Sequence, residues 1–250
     1  GQVYLGSKSD SSYVTSSTAD ILVKGTTYVD ADNVTTMAAK TGGNVVVESS
    51  GASFTNASYW GVATNAGSFS FGKSGETKDL TVSAAVTSTV VGSTTGANTI
   101  SGNAVTISAA MSGTSIAIAN KAAYSGAGSL TATAGGISIS GGTSITPTGN
   151  FQATGNITVS GTGQALFNGV SVVSSAGSIG FTVGPYAGHA IQIQNTTLTT
   201  SAQPINITGT SSSGDGAYIL AGSKISTTSG AINITGVGTD WGLFFETADI

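Results

Sequence analysis

His189 is the only histidine of the 250-residue chain, so it is the first residue to consider for acid–base chemistry. A nucleophilic triad would place it beside a serine and an aspartate. Serine is so frequent in this sequence that such a match carries no information. His189 follows Gly188 at the start of a short apolar segment, HAIQI. The sequence therefore predicts an ordinary outward or corner position of a strand, with no catalytic role.

Oxygen ligands crowd together at Asp30, Asp32 and Asn33 in the segment VDADNV. A calcium site of the EF-hand type also needs a glycine and a distal glutamate at fixed offsets, and both are missing. The glycine-rich calcium repeat G-G-x-G-x-D does not recur along the chain. The chain has no cysteine, which excludes disulfides and cysteine-based zinc sites. We therefore predict a capped, solvated turn here, and no metal or cofactor site.

Carboxylates are absent from the middle of the chain. Polysaccharide-cleaving enzymes need two carboxylates about 5–10 Å apart, or a basic residue beside a carboxylate. Between Leu80 and Gly214 there is no aspartate, glutamate or arginine, which predicts no catalytic residues and no enzyme activity. Asp215 and Asp240 are expected in the same loop of successive repeats, where aspartate and glycine favour a turn. Trp241 is the candidate contact for a sugar or a protein partner.

Charge is scarce overall. Charged residues make up 7% of the chain, against roughly a quarter in a typical globular protein. The formal net charge of −4 disfavours nucleic acid, which is bound by basic surfaces. No apolar stretch approaches the roughly 20 residues that a membrane-spanning helix needs. We therefore expect no nucleic-acid partner and no membrane span in this segment.

The sequence INITG occurs twice, from Ile205 and from Ile232, within longer repeats. Alternation of apolar and polar residues marks strands, and the series can be followed backwards to Ile137. Its members begin at positions 137, 157, 179, 205 and 232, so the interval widens slowly along the chain. This pattern predicts a structural ladder whose apolar members point inwards and whose two asparagines point outwards: Ile137, Ile139, Ile157, Val159, Ile179, Phe181, Ile205, Ile207, Ile232 and Ile234, with Asn206 and Asn233.

Two further strand classes recur between the members of this series. One follows Gly163, Gly188, Gly216 and Gly242, and the other includes 170–173, Leu198 and Ile225. Three strand classes in fixed order describe a coil with three sides. Repeats of this length exclude propeller blades of about 40 residues, and the alternation excludes helical repeats.

The predicted fold is therefore all-β, a single-stranded parallel β-helix. In the first half, apolar segments recur at equal intervals, at 21–23, 45–47 and 69–71, which extends the pattern. We predict a right-handed solenoid of about eleven coils, each roughly 20–28 residues long, within the range of solenoid repeats. Positions 1–250 are expected to form one continuous β-helix, less regular in 1–79, and to be a segment of a longer polypeptide.

The repeats NTTLTTSAQPINITGTSSSGDGAYIL and GSKISTTSGAINITGVGTDWGLFF resemble those of large bacterial surface proteins. In style they are similar to the filamentous-haemagglutinin-like adhesins of two-partner secretion. That resemblance implies a long β-helix exported to the cell surface. The secretion domain of that family carries an Asn-Pro-Asn motif, and this chain has no Asn-Pro at all. Autotransporter passengers share the architecture and are the other candidate family.

The resemblance implies an extracellular or cell-surface location and a structural role. We expect the rod of a secreted adhesin or filament that mediates adhesion or self-association. Its partners would be like chains, further coils of the same polypeptide, or a host-surface or glycan receptor. A β-helical polysaccharide-active enzyme and a polymerising matrix or sheath component are the alternatives.

Overall fold

The structure is a computed structural model that describes residues 96–250 completely. Before residue 96 it describes the backbone of the strands, together with residues 70–72 and 80. Throughout the described part of the chain the regular structure is β-strand, and no helix occurs there.

The strands are numbered in chain order. Those that begin before residue 96 are β1 Gln2–Tyr4, β2 Ser12–Ser16, β3 Ile21–Gly25, β4 Tyr28–Asp30, β5 Val34–Ala39, β6 Asn44–Ser49, β7 Ser68–Phe71, β8 Leu80–Val82 and β9 Val90–Val91. The remainder are β10 Ala97–Ile107, β11 Ala110–Gly113, β12 Ser115–Gly126, β13 Leu130–Ala132, β14 Ile137–Gly141, β15 Ser144–Pro147, β16 Phe151–Ala153, β17 Ile157–Gly161, β18 Gln164–Asn168, β19 Ser171–Ser174, β20 Ile179–Tyr186, β21 Ile191–Gln194, β22 Thr197–Thr200, β23 Ile205–Ser211, β24 Ala217–Ile219, β25 Lys224–Thr227, β26 Ile232–Val237 and β27 Leu243–Phe245.

Most of the strands stack into three faces, while β1 with β4 and β2 with β5 form two separate two-stranded sheets. All of the strand pairs described are parallel. The first face runs β3–β6–β7–β10–β12–β14–β17–β20–β23–β26, the second runs β8–β10–β12–β15–β18–β21–β24–β27, and the third runs β9–β11–β13–β16–β19–β22–β25. The long strands β10 and β12 belong to both the first and the second face. The seven strands of the third face correspond to a β-solenoid of about seven turns, which confirms the predicted parallel β-helix.

The first face owes its core to the strict alternation of apolar and polar residues. Ile137, Ile157, Ile179 and Ile205 are register partners from one coil to the next, and each is at most 1% exposed. Ile232 continues the column and is partly buried. The outward residues between them, such as Thr158 and Asn206, are exposed. A shift of one residue would exchange these two sets, so the apolar pattern fixes the register.

The third face contributes a second apolar column. Leu130, Phe151, Val172, Leu198 and Ile225 are register partners and are buried. Between the first and second faces the rings of Phe167 and Phe181 stack at 4.6 Å. The core is therefore one continuous cluster along the rod axis.

Threonine hydroxyls brace the corners of the coils. The Oγ1 atom of Thr143 donates to the Ala122 carbonyl at 3.1 Å, and that of Thr154 donates to Thr133 at 2.9 Å. Gly141 turns a corner with φ of +90°, where a Cβ atom would collide with the Asn120 carbonyl. Polar corners of this kind satisfy backbone groups without charge.

Candidate functional site

Three chemically distinct residues share one position of consecutive coils on the second face. His189 lies two residues before β21, Asp215 two residues before β24 and Trp241 two residues before β27. The register of these strands pairs Ile191 with Ala217 and Ala217 with Leu243, so the three residues stand one above another. We call this set the corner column.

Asp215 is the centre of the corner column. Its side chain is 5% exposed, and its Oδ2 atom lies 2.9 Å from Nδ1 of His189. Its Oδ1 atom accepts a hydrogen bond of 2.9 Å from the backbone N–H of Trp241. The Asp215 carbonyl also accepts from the Ala190 N–H at 3.0 Å. A buried carboxylate is costly unless it is paired, and here it is paired to the coils on both sides.

His189 turns one edge of its ring inwards. Its Nδ1 atom is buried and near Asp215, although the contact falls short of the geometry of a full hydrogen bond. The side chain as a whole is 41% exposed, so the rest of the ring faces solvent. A carboxylate next to Nδ1 favours the proton on that nitrogen, which leaves Nε2 as an acceptor.

Aromatic rings continue from His189 along the rod axis. The imidazole stacks on Tyr218 with ring centroids 4.3 Å apart and an interplanar angle of 9°. Tyr218 is the register partner of Phe244, and their centroids are 4.8 Å apart. The Tyr218–Phe244 spacing matches that of neighbouring strands, so the register of the solenoid arranges these two rings. The register partner of Tyr218 on the other side is Gln192, and His189 reaches the Tyr218 ring from the corner before that strand. We call His189, Tyr218 and Phe244 the aromatic stack.

The corner column and the aromatic stack border an open groove of about 570 Å³. This volume falls within the range of small-molecule sites. Trp241, which is 64% exposed, lies beside it. The lining residues are His189, Asp215, Tyr218, Thr239, Asp240, Trp241 and Phe244.

The polar groups that line the groove are mainly hydrogen-bond acceptors. The carboxylate of Asp240 and the free nitrogen of His189 accept hydrogen bonds, the hydroxyl of Thr239 both donates and accepts, and the indole N–H of Trp241 donates. No lysine or arginine is among the lining residues, so nothing there would attract an anion unless His189 is protonated. Among the residues that the structure describes, no group of three metal-ligating side chains comes together.

The predicted contact Trp241 lies in this groove, while the predicted ladder lies on the first face. Asn233 donates from Nδ2 to Oδ1 of Asn206 at 2.9 Å, and both side chains are exposed. Asp215 and Asp240 lie in equivalent loops of successive coils, as predicted, but Asp215 stands in register with Trp241 rather than with Asp240. The prediction of Asp30, Asp32 and Asn33 as a solvated turn concerns side chains outside the described residues.

His189 does occupy a corner, but its pairing with Asp215 and Tyr218 was missed. The glycine-led alignment of the repeats set Gly188 against Gly216, whereas the register sets Ala190 against Gly216. That shift of two residues separates His189 from Asp215 in the sequence alignment. The alternation in AIQI and AYIL, aligned without the glycines, would have revealed the column.

No protein-family model, curated protein or solved structure matches the chain. Within the described residues, no helix has the length and apolar character needed to cross a membrane. The adhesin resemblance of the repeats therefore stays a prediction from sequence.

Proposed function

We propose that the chain is the rod of a secreted bacterial surface adhesin, which holds contact sites away from the cell. In this proposal it is a right-handed solenoid of about eleven coils, and the regular part described above is its second half. The observation that carries the proposal is the in-register stacking of coils behind an uncharged polar exterior. Eleven coils at the strand spacing would extend roughly 50 Å.

The chemistry of the exterior suits a role in contact rather than in turnover. From Leu80 to Gly214 the only formal charge is Lys121, and the outward rows of the first face are serine, threonine, asparagine and small residues. Such rows stack without repulsion between rungs, as the Asn206–Asn233 bond illustrates. A stretch with so little charge can therefore lie beside a like stretch or a neutral surface with little electrostatic penalty.

Surface display provides the test. The chain is fused to an outer-membrane anchor in a laboratory strain that does not adhere, and retention on mucin-coated and epithelial-cell surfaces is measured together with autoaggregation. The expected result is a several-fold rise in retention or aggregation over the anchor alone. The matched control is Ile207→Asp, which disrupts the buried column and should abolish the gain. No gain from the displayed wild-type chain would overturn the proposal.

A second candidate function is polysaccharide cleavage, which the His189–Asp215 pair beside an open groove favours. A histidine held by a carboxylate can act as a general base. The test is release of reducing ends or unsaturated sugars from neutral and acidic polysaccharides by the purified chain. Cleavage that is lost in His189→Ala would replace the structural proposal with an enzymatic one.

A further inference from the structure

We propose that the groove on the second face is a binding site for a neutral saccharide. This inference rests on the proposed function and deepens it, because it names the contact chemistry of the rod. A hexose or a short stretch of a glycan chain is the ligand class, and Trp241 is its principal contact.

The first argument is the combination of an exposed indole with a concave surface. A pyranose ring has an apolar face of C–H groups and a rim of hydroxyls. Trp241 is 64% exposed, so a large apolar surface is available at the edge of the groove. Tryptophan offers such a surface together with a polar N–H, and it has few rotatable bonds to immobilise.

The second argument is the hydrogen-bonding character of the lining. Sugar hydroxyls are donors as well as acceptors, and the groove offers an excess of acceptors. The Asp240 carboxylate can accept charge-assisted hydrogen bonds from two neighbouring hydroxyls. Thr239 and the free nitrogen of His189 add further partners at the same groove. A few polar groups around an apolar contact are the usual composition of a ligand site.

The third argument is charge, which selects neutral over acidic sugars. Two carboxylates, Asp215 and Asp240, line the groove, and its only basic side chain is His189. Asp215 is already next to His189 at 2.9 Å. A uronic or sialic acid would therefore meet the carboxylate of Asp240 without a permanent positive charge to balance it.

The fourth argument is preorganisation. Asp215 contacts His189 through one oxygen and the backbone of Trp241 through the other. The ring of Tyr218 stacks on one face of the imidazole, with the two ring centroids 4.3 Å apart. Groups that are fixed before binding lose little entropy when a ligand arrives. A buried carboxylate that joins three coils thus maintains the shape of the groove.

A quaternary ammonium ligand is the main competitor, since aromatic rings and carboxylates also attract cations. A quaternary ammonium group is bound where the faces of several aromatic rings surround it. Here the faces of His189 and Tyr218 cover each other, and Phe244 packs against Tyr218 in the same column. Among the groove's rings, Trp241 is the one with most of its surface exposed, which suits a flat sugar face better than a sphere.

Binding is tested with the purified full chain on a printed array of neutral, sialylated, sulfated, uronic and amino glycans. Neutral hits are then titrated by calorimetry beside hexagalacturonate and tetramethylammonium chloride. We expect binding to at least one neutral oligosaccharide, and at least ten-fold weaker binding of the acidic sugar and the cation. An array without neutral hits, or stronger binding of either competitor, overturns the proposal.

Variants locate the site. Trp241→Ala and Asp240→Asn should weaken binding of the neutral hit at least ten-fold and about three-fold, respectively. Trp60→Phe, at the other tryptophan of the chain, and Thr182→Ala, at an exposed position of the first face, are the matched controls and should bind as wild type. Equal affinity in Trp241→Ala and wild type would place the sugar elsewhere and overturn the proposal.

The same variants separate this inference from the adhesin proposal. If the wild-type chain binds no neutral sugar, and the displayed Trp241→Ala chain adheres as well as the displayed wild type, the groove proposal fails and the rod proposal stands. If the wild-type chain binds the sugar through Trp241 but gives no retention or aggregation on display, the groove proposal stands and the adhesin proposal fails.

Discussion

Asp215 shows how one side chain can connect neighbouring coils of a solenoid. Backbone hydrogen bonds already join each coil to the next, but they do not determine the conformation of the loops between the strands. The carboxylate of Asp215 adds a contact to His189 below it and to the backbone of Trp241 above it. Both oxygens are used, which explains why a charged group can remain buried at this corner.

Asp215→Ala should therefore destabilise the C-terminal coils by about 2–3 kcal/mol, because the part-buried backbone N–H of Trp241 loses its charged acceptor and Nδ1 of His189 loses the neighbouring carboxylate. Asp215→Asn retains a carbonyl oxygen for the Trp241 N–H, so we expect less than half of that loss. Urea unfolding followed by far-UV circular dichroism measures both. An alanine variant as stable as wild type would show that water replaces the carboxylate at no cost.

Tyr124 makes a pH-dependent contribution to stability. It is fully buried on β12, and its hydroxyl has no partner among the described residues. Burial raises the pKa of the Tyr124 hydroxyl, so the folded chain keeps its proton. The unfolded chain loses that proton above about pH 10. The contribution is thus complete below pH 10 and is lost as the pH rises above it, with a slope approaching about 1.4 kcal/mol per pH unit.

Tyr124→Phe removes this titration. At neutral pH the variant should be as stable as wild type, or more stable by up to about 1 kcal/mol, since it removes an unpaired hydroxyl. Above pH 10 its advantage should grow. Chemical unfolding at a series of pH values compares the two proteins. A variant that is less stable at neutral pH would reveal a hydrogen bond to a buried water.

At the scale of the strand, the two sides of β23 should respond in opposite ways to substitution. Ile207→Asp would place a carboxylate without a partner in the core, where Ile207 is 0% exposed, and should cost at least about 4 kcal/mol. Asn206→Ser, one residue away on the exposed side, should change stability by no more than about 0.5 kcal/mol. Thermal melts of the two variants and wild type give the comparison.

The equivalent residue on β26 provides a graded control. Ile234 is the register partner of Ile207 but is only partly buried. Ile234→Asp should therefore cost less than Ile207→Asp, because its carboxylate can reach water. Equal losses in Asn206→Ser and Ile207→Asp would show that the faces of β23 are reversed.

The elements that the sequence predicted best are those with strict alternation. The pairing of Ile21 with Val45 and of Val45 with Phe69 follows the equal intervals predicted between these segments, even in the less regular first half. Loops and corners were predicted less well, because glycine serves several purposes there. Gly188 and Gly216 begin similar phrases but differ by two residues in register. Side-chain contacts across coils, such as His189 to Tyr218, depend on that register and cannot be obtained from spacing alone.

At the scale of the molecule, each coil of the solenoid has a stacked apolar core and corners that differ from coil to coil. Each coil contacts mainly its neighbours, so stability is approximately a sum of coil and interface contributions. The stacked apolar columns supply those contributions from Phe71 to Ile225, and Ile232 and Ile234 pack against their end. Corner positions are then free to vary from coil to coil, as glycine, histidine, aspartate and tryptophan do at the positions preceding the second face.

The shortage of charge leads to a prediction for the whole chain. Ion pairs are weakened by salt, whereas burial of apolar surface is strengthened by sulfate. The exposed pair Lys224–Asp249 contributes little, and the contact between His189 and the buried Asp215 is shielded from salt on the side of the carboxylate. We therefore expect the melting temperature to change by less than about 2 °C between low salt and 1 M sodium chloride, since one exposed pair is worth at most about 1 kcal/mol.

Sodium sulfate at equal ionic strength should raise the melting temperature, because its exclusion from the protein surface favours the buried columns. Differential scanning calorimetry in the two salts makes the comparison, with Lys224→Ala as a control for the exposed pair. A large loss of stability in sodium chloride would mean that electrostatic contacts stabilise the fold. The charges in question would then lie within positions 1–79, where most of the charged side chains of the chain are found.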